Sequence, residues 1–123
     1  DTPPKQVSVQ SGIADDWAAN RAGEYMARTM GLPTIMPSPY VPYGLTGTTA
    51  PVPNGLVIYD FGLGATIPST NEAPPNNDVH GSLRNKQATT DMMRHFYQTG
   101  EIVQMCTAPT GCDCTMGGCG AGL

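Results

Sequence analysis

The sequence predicts an α/β fold, and three observations lead there. Two strand-like segments, the alternating "QVSVQ" and the apolar run "GLVIYDFG", are each followed at a distance by a segment with helical spacing. The resulting order is strand, helix, strand, helix. Two strands with a helix between them most simply form a parallel, right-handed βαβ unit.

Residues 6–10 alternate Val7 and Val9 with polar neighbours and end at Ser11-Gly12, the pattern of a short strand entering a turn. In "AANRAGEYMARTMG", Ala22, Tyr25, Met26 and Met30 recur at helical spacing. Gly31 supplies a left-handed stop and Pro33 prevents continuation, which places a helix over residues 18–30. Residues 32–53 carry six prolines without a sustained period and read as a long ordered loop. Residues 55–62 form a continuous apolar run bounded by glycine, expected to be a buried strand. A Pro/Asn-rich loop then leads to His80. In "KQATTDMMRHFYQTG", Ala88, Met92 and Phe96 share a helix face that ends at Gly100.

A buried parallel strand needs neighbours on both edges and helices on both faces. Two strands and two helices do not satisfy that need. The expectation is therefore a partial sheet, completed by another chain or by a missing N-terminal region, and the abrupt entry into a strand after "DTPPK" fits an upstream part being absent.

Composition narrows the function. A chain of 123 residues suits one domain, and 39% hydrophobic content suits a folded one. With six Lys+Arg and a net charge of -4, nucleic acid is not an expected partner. No apolar run approaches the roughly 20 residues of a membrane span.

All four cysteines, Cys106, Cys112, Cys114 and Cys119, lie in the last eighteen residues, in a Gly-rich tail without a core pattern of its own. An even count there reads as two disulfides, with three pairings open, and as secretion to an extracellular or periplasmic compartment. Zinc competes, but the spacing Cys-x5-Cys-x-Cys-x4-Cys lacks the paired knuckles of structural sites, so no metal is assigned. The domain division is residues 1–105 as an α/β part and residues 106–123 as a disulfide tail.

The chemistry-bearing pattern is an acidic turn after the first strand and a histidine after the second. In a parallel sheet both fall at the carboxyl edge, where open α/β sheets build their sites. A carboxylate there can accept the Nδ1 proton of the imidazole and leave Nε2 to take a proton from a nucleophile.

The segments "SGIADDWAANRAGEYMARTMGLP", "GLVIYDFG" and "PPNNDVHGSLRNKQATTDMMRHFYQTGEIVQMC" together resemble the C-terminal third of a bacterial α/β-hydrolase of the esterase/lipase type. The resemblance spans about residues 7–106. It rests on a Gly/Ala-x-x-Asp-x-x-x-x-Asn turn, a helix ending in "GLP", and an Asp-x-His-Gly segment after the last strand. It implies the C-terminal βαβα part of a hydrolase sheet, with Asp15 as triad acid and His80 as general base. Asp16 is the alternative acid, because a one-residue slip exchanges the two.

Other readings stand beside these. Asp15 and Asp16 can serve simply as helix N-terminal charges, and His80 as a solvated loop residue. Asp60 is a weaker acid candidate, explained equally by strand-end hydrogen bonding. Asp78 can tune His80 or cap its loop. His95 follows Asp91 by four residues, the spacing of an ordinary surface pair, and receives no chemistry. The tyrosines of "SPYVPYG" are taken to pack their loop.

No Gly-x-Ser-x-Gly elbow occurs, so Ser8, Ser11, Ser38, Ser69 and Ser82 all lack the nucleophile's context. The expectation is a chain that gives acid and histidine to a secreted serine hydrolase of carboxylic esters. Its nucleophile comes from a complementary chain or missing segment, without a cofactor, and the chain is inactive alone. The alternatives are a non-catalytic extracellular structural or interaction module derived from a hydrolase fold and, last, a small Cys-rich metal protein.

Overall fold

A computed structural model describes residues 2–122. Among them a five-stranded, wholly parallel sheet is built from β1 (Val7–Gly12), β2 (Thr34–Met36), β3 (Gly47–Thr49), β4 (Asn54–Asp60) and β5 (Cys112–Asp113). The helices are α1 (Asn20–Met30), α2 (Val79–Arg84) and α3 (Gln87–Thr99).

The apolar run read as a buried strand is β4, the centre of the sheet. β1 pairs along one edge of it, Val7 opposite Asn54 through Gly12 opposite Tyr59. β2 meets the other edge at Leu56 and β5 meets it at Tyr59 and Asp60, while β3 lies outside β2. The alternation of β4 assigns its two faces. Leu56 and Ile58 join Ile13, Ala14 and Ala27 in a core beneath α1. Val57 and Tyr59 join Leu83, Ala88, Met92 and three cysteines in a core beneath α2 and α3. Helices thus cover both faces, as a parallel sheet requires.

Several expectations change. β1 runs two residues further than the alternating pattern indicated, through Gly12, and α1 starts at Asn20 rather than residue 18. The proline-rich stretch read as pure loop contains β2 and β3; three residues apiece are too few to show a period. His80 lies in the first turn of α2 rather than in a loop. α1 and α3 both stop at a left-handed glycine, Gly31 and Gly100.

The cysteine tail is not a coreless appendage. β5 extends the sheet, and Cys106, Cys112 and Cys119 are buried in the α2–α3 core. The disulfides are Cys106–Cys112 and Cys114–Cys119, which leaves no free thiol. Two disulfides fit an oxidising environment. Among the described residues no helix is long and apolar enough to cross a membrane.

Candidate active site

The turn after β1 is where the main chain is most constrained. Ala14 takes φ 63°, a left-handed conformation unfavourable for an L-residue with a side chain. Asn20 holds it there: its side-chain oxygen accepts the Ala14 N–H at 2.8 Å and its amide donates to the Gly12 carbonyl at 2.7 Å. Both bonds are buried, so the asparagine at the end of the Asp-x-x-x-x-Asn spacing works as a clamp on the turn.

That turn presents Asp15, which is only 5% exposed. Its Oδ1 accepts the N–H groups of Trp17 at 2.8 Å and Ala18 at 2.9 Å. The carboxyl group faces the His80 ring, with Nδ1 at 2.9 Å from Oδ2 and 3.1 Å from Oδ1. A neutral imidazole carrying its proton on Nδ1 donates it to this carboxylate and keeps Nε2 as the basic lone pair. Nε2 makes no hydrogen bond among the described residues.

Three features bring α2 to the acidic turn. Gly12 allows close approach, since a Cβ there would lie 2.6 Å from Cγ1 of the buried Val79. The Asn77 side chain donates to the Ala14 carbonyl at 2.8 Å and accepts the Val79 N–H at 3.1 Å. Asp16 accepts the His80 backbone N–H at 3.2 Å. Partial burial of Asp16 opposes its ionisation, but hydrogen bonds from the backbone of His80, Asp16 and Asn77, aided by the His80 charge, outweigh it and hold its carboxyl below the usual value.

The two adjacent acids therefore have different jobs: Asp15 meets the ring and Asp16 meets the backbone. Asp78 takes φ 61° at the start of α2 and makes no side-chain cap bond. Asp60 accepts the Gly62 N–H at 2.7 Å, the local strand-end bond that competed with an acid role for it. His95 does not pair with Asp91, whose carboxylate is taken by Arg94 at 2.7 Å and Gln87 at 2.8 Å. Tyr40 packs against the α1-side core and donates to Glu24 at 2.9 Å, and Tyr43 is exposed.

Trp17 is a site residue that no sequence pattern singled out. Its indole lies flat against the His80 ring, centroids 5.3 Å apart and planes 10° apart, while remaining 77% exposed. The stacked indole restricts rotation of the imidazole ring. Beside the dyad opens a cavity of about 680 Å³, lined on the site side by Asp15, Trp17 and His80 and otherwise mainly by apolar groups. Among the described residues no cluster of three or more His, Cys, Asp or Glu side chains forms a metal cage.

No family model, curated protein or solved structure matches this chain. The functional reading therefore rests on the geometry of the dyad and on the motif resemblance.

Proposed function

We propose that the chain supplies the acid and the base of a serine hydrolase acting on carboxylic esters in an extracellular or periplasmic compartment. The serine and the oxyanion-binding amides come from a complementary chain or from sequence outside these residues. In this reading His80 Nε2 removes the proton from the serine hydroxyl as its oxygen attacks the ester carbonyl carbon. Asp15 steadies the imidazolium, and Nε2 returns the proton to the departing alcohol as the C–O bond breaks. Water, activated by the same nitrogen, then releases the acid and regenerates the serine.

The observation that carries this reading is the 2.9 Å contact between His80 Nδ1 and the Asp15 carboxylate, made between the turn after β1 and the first turn of α2, 65 residues apart in the chain. A structural bridge alone would not need Nε2 left unbonded beside a cavity. The motifs around Asp15 and His80 add to it, and since this chain has no serine elbow the reading requires a nucleophile from elsewhere.

The test uses protein isolated from its source with any polypeptide that accompanies it, treated with a fluorophosphonate that labels activated serines. The expected result is one labelled serine in a Gly-x-Ser-x-Gly context, with ester hydrolysis falling by about six orders of magnitude in His80→Ala. Equal labelling and equal hydrolysis in the wild type and His80→Ala would overturn the proposal, as would the absence of any labelled serine.

A further inference from the structure

We infer that the free edge of β1 is a docking slot for a single parallel β-strand, contributed by the polypeptide that carries the nucleophile. The identity of that occupant rests on the function proposed above; the slot itself rests on main-chain geometry.

The Ile13 N–H donates to the Tyr59 carbonyl at 2.8 Å and the Val7 N–H to the Asn54 side chain at 2.8 Å, so the odd-numbered residues of β1 turn their main chain toward β4. By the two-residue period of a strand, the N–H and C=O groups of Ser8 and Gln10 face the opposite way. No described strand pairs with them on that side, where β1 ends the sheet. The Gly12 carbonyl, next in that series, is already taken by Asn20 and by the Asp15 N–H. The open stretch therefore stops just short of the dyad.

The cavity runs along this edge. β1 contributes Val9, Gln10 and Ser11; Ala22 and Met26 of α1 stand on one side, and Leu83 and Met93 stand on the other. These walls belong to the two helical layers that cover opposite faces of the sheet. Met26 and Met93 remain 44% and 43% exposed. Apart from the dyad, Arg84 is the one charged side chain lining the space. A slot walled by helices on both faces suits the near-continuous apolar run of a central parallel strand.

Volume does not choose the occupant, because about 680 Å³ also suits a small ligand. The main chain does choose. A hydrocarbon in the slot would bury the Ser8 and Gln10 peptide groups without partners, whereas a strand bonds them. A second copy of this chain fits poorly, since edge-to-edge pairing would press the α1 and α3 layers of both copies over the same two strands. A parallel strand, in contrast, brings its carboxyl end to Asp15 and His80, where its following turn can present a hydroxyl to Nε2.

The experiment titrates the folded, oxidised chain with an acetylated and amidated peptide of about eight residues. Its centre is valine and isoleucine, and its ends are lysine. Amide hydrogen exchange is read residue by residue. The expected result is that saturating peptide slows exchange at Ser8 and Gln10 by about tenfold or more and leaves Val9 and Ser11, already bonded to β4, unchanged. Gln10→Pro, which removes the outward N–H, weakens binding about tenfold. Met26→Glu together with Met93→Glu, which leaves the β1 ladder untouched, does the same should Gln10→Pro not fold.

Three results would overturn the inference. One is unprotected Ser8 and Gln10 amides at millimolar peptide. Another is protection without peptide that grows with protein concentration, which means self-association. The last is a fatty acid that displaces the peptide while leaving both amides unprotected. Normal peptide binding together with no activated serine in the source protein would contradict the proposed chemistry and not the slot.

Discussion

Replacing Asn20 with alanine tests the turn that delivers Asp15. The change removes an acceptor from the buried Ala14 N–H and a donor from the Gly12 carbonyl. The Ala14 N–H has no other partner within reach of the turn, so it bears the full penalty of a buried, unsatisfied donor, about 1–3 kcal/mol. The Gly12 carbonyl still accepts the Asp15 N–H at 3.3 Å, so its loss is smaller, about 1 kcal/mol. A total of about 2–4 kcal/mol is a large share of the roughly 5–15 kcal/mol that stabilises a domain of this kind. The assay is urea unfolding of the oxidised protein, with Asn20→Ala expected to lower the midpoint at an unchanged slope. In parallel, Ala14 is expected to leave the left-handed region and the Asp15–His80 contact to loosen, seen as altered ring chemical shifts of His80. A loss of less than about 0.5 kcal/mol with those shifts unmoved would refute the clamp, because at that size the two buried bonds contribute nothing beyond an exposed pair.

Burial of Tyr59 pushes its hydroxyl from 10.0 up to about 12, so the folded state keeps a proton that the unfolded chain releases. This stability is complete below pH 10 and is lost as pH rises toward 12, by about 3 kcal/mol; unfolding midpoints across that range should show it, and Tyr59→Phe should remove this share. The Cys106–Cys112 bridge closes a loop of sequence separation 6, for which restriction of the unfolded chain gives about 2 kcal/mol. The paired Cys106→Ala, Cys112→Ala variant should unfold earlier by that amount, plus the packing lost around the buried sulfurs, and intact stability would contradict the disulfide's place in the core. Trp17 is the one tryptophan of the chain, and it stacks on His80. Its fluorescence is expected to change in His80→Ala, where the stacked ring is gone, and unchanged emission would contradict the contact.

The parts of this structure that were legible in the sequence are those with a period long enough to count. β4 is a seven-residue strand with a continuous apolar run, Leu56 to Tyr59, at its centre, and α1 and α3 repeat their apolar residues over three or more turns before a stop at glycine. β2 and β3 were not legible, because strands of three residues among prolines are made by pairing with β4 and with each other rather than by local preference. α2 was hidden by Gly81 within it and by a left-handed Asp78 at its start, a conformation that no spacing announces. The tail hid its place in the core because its apolar payload is disulfide sulfur rather than Leu or Val.

The same contrast runs through the site. The two segments that carry the acid and His80 were visible, though not the helix that holds the histidine, because neighbouring parallel strands must deliver their carboxyl ends to one edge. Which acid faces the ring was not visible. It depends on the left-handed turn at Ala14, which Asn20 imposes from five residues beyond Asp15 and which sends Asp15 to the imidazole and Asp16 to the backbone. Trp17 carried no signal, since an aromatic beside an acidic pair is ordinary until its ring is seen against the histidine. The expected surface pair of Asp91 and His95 failed because Arg94 and Gln87 reach the same carboxylate, leaving the His95 Nε2 buried without a partner.

In the proposed chemistry Asp15 fixes the proton of His80 on Nδ1 and leaves Nε2 free to act as a base. Nitrogen-15 NMR of the imidazole in the oxidised chain tests it most directly, at a pH where the ring is neutral. The expected result is a protonated Nδ1 with a hydrogen-bonded, downfield proton, an unprotonated Nε2, and loss of that downfield proton in Asp15→Ala but not in Asp16→Ala. A neutral ring carrying its proton on Nε2, or one whose signals ignore the loss of Asp15, would contradict it.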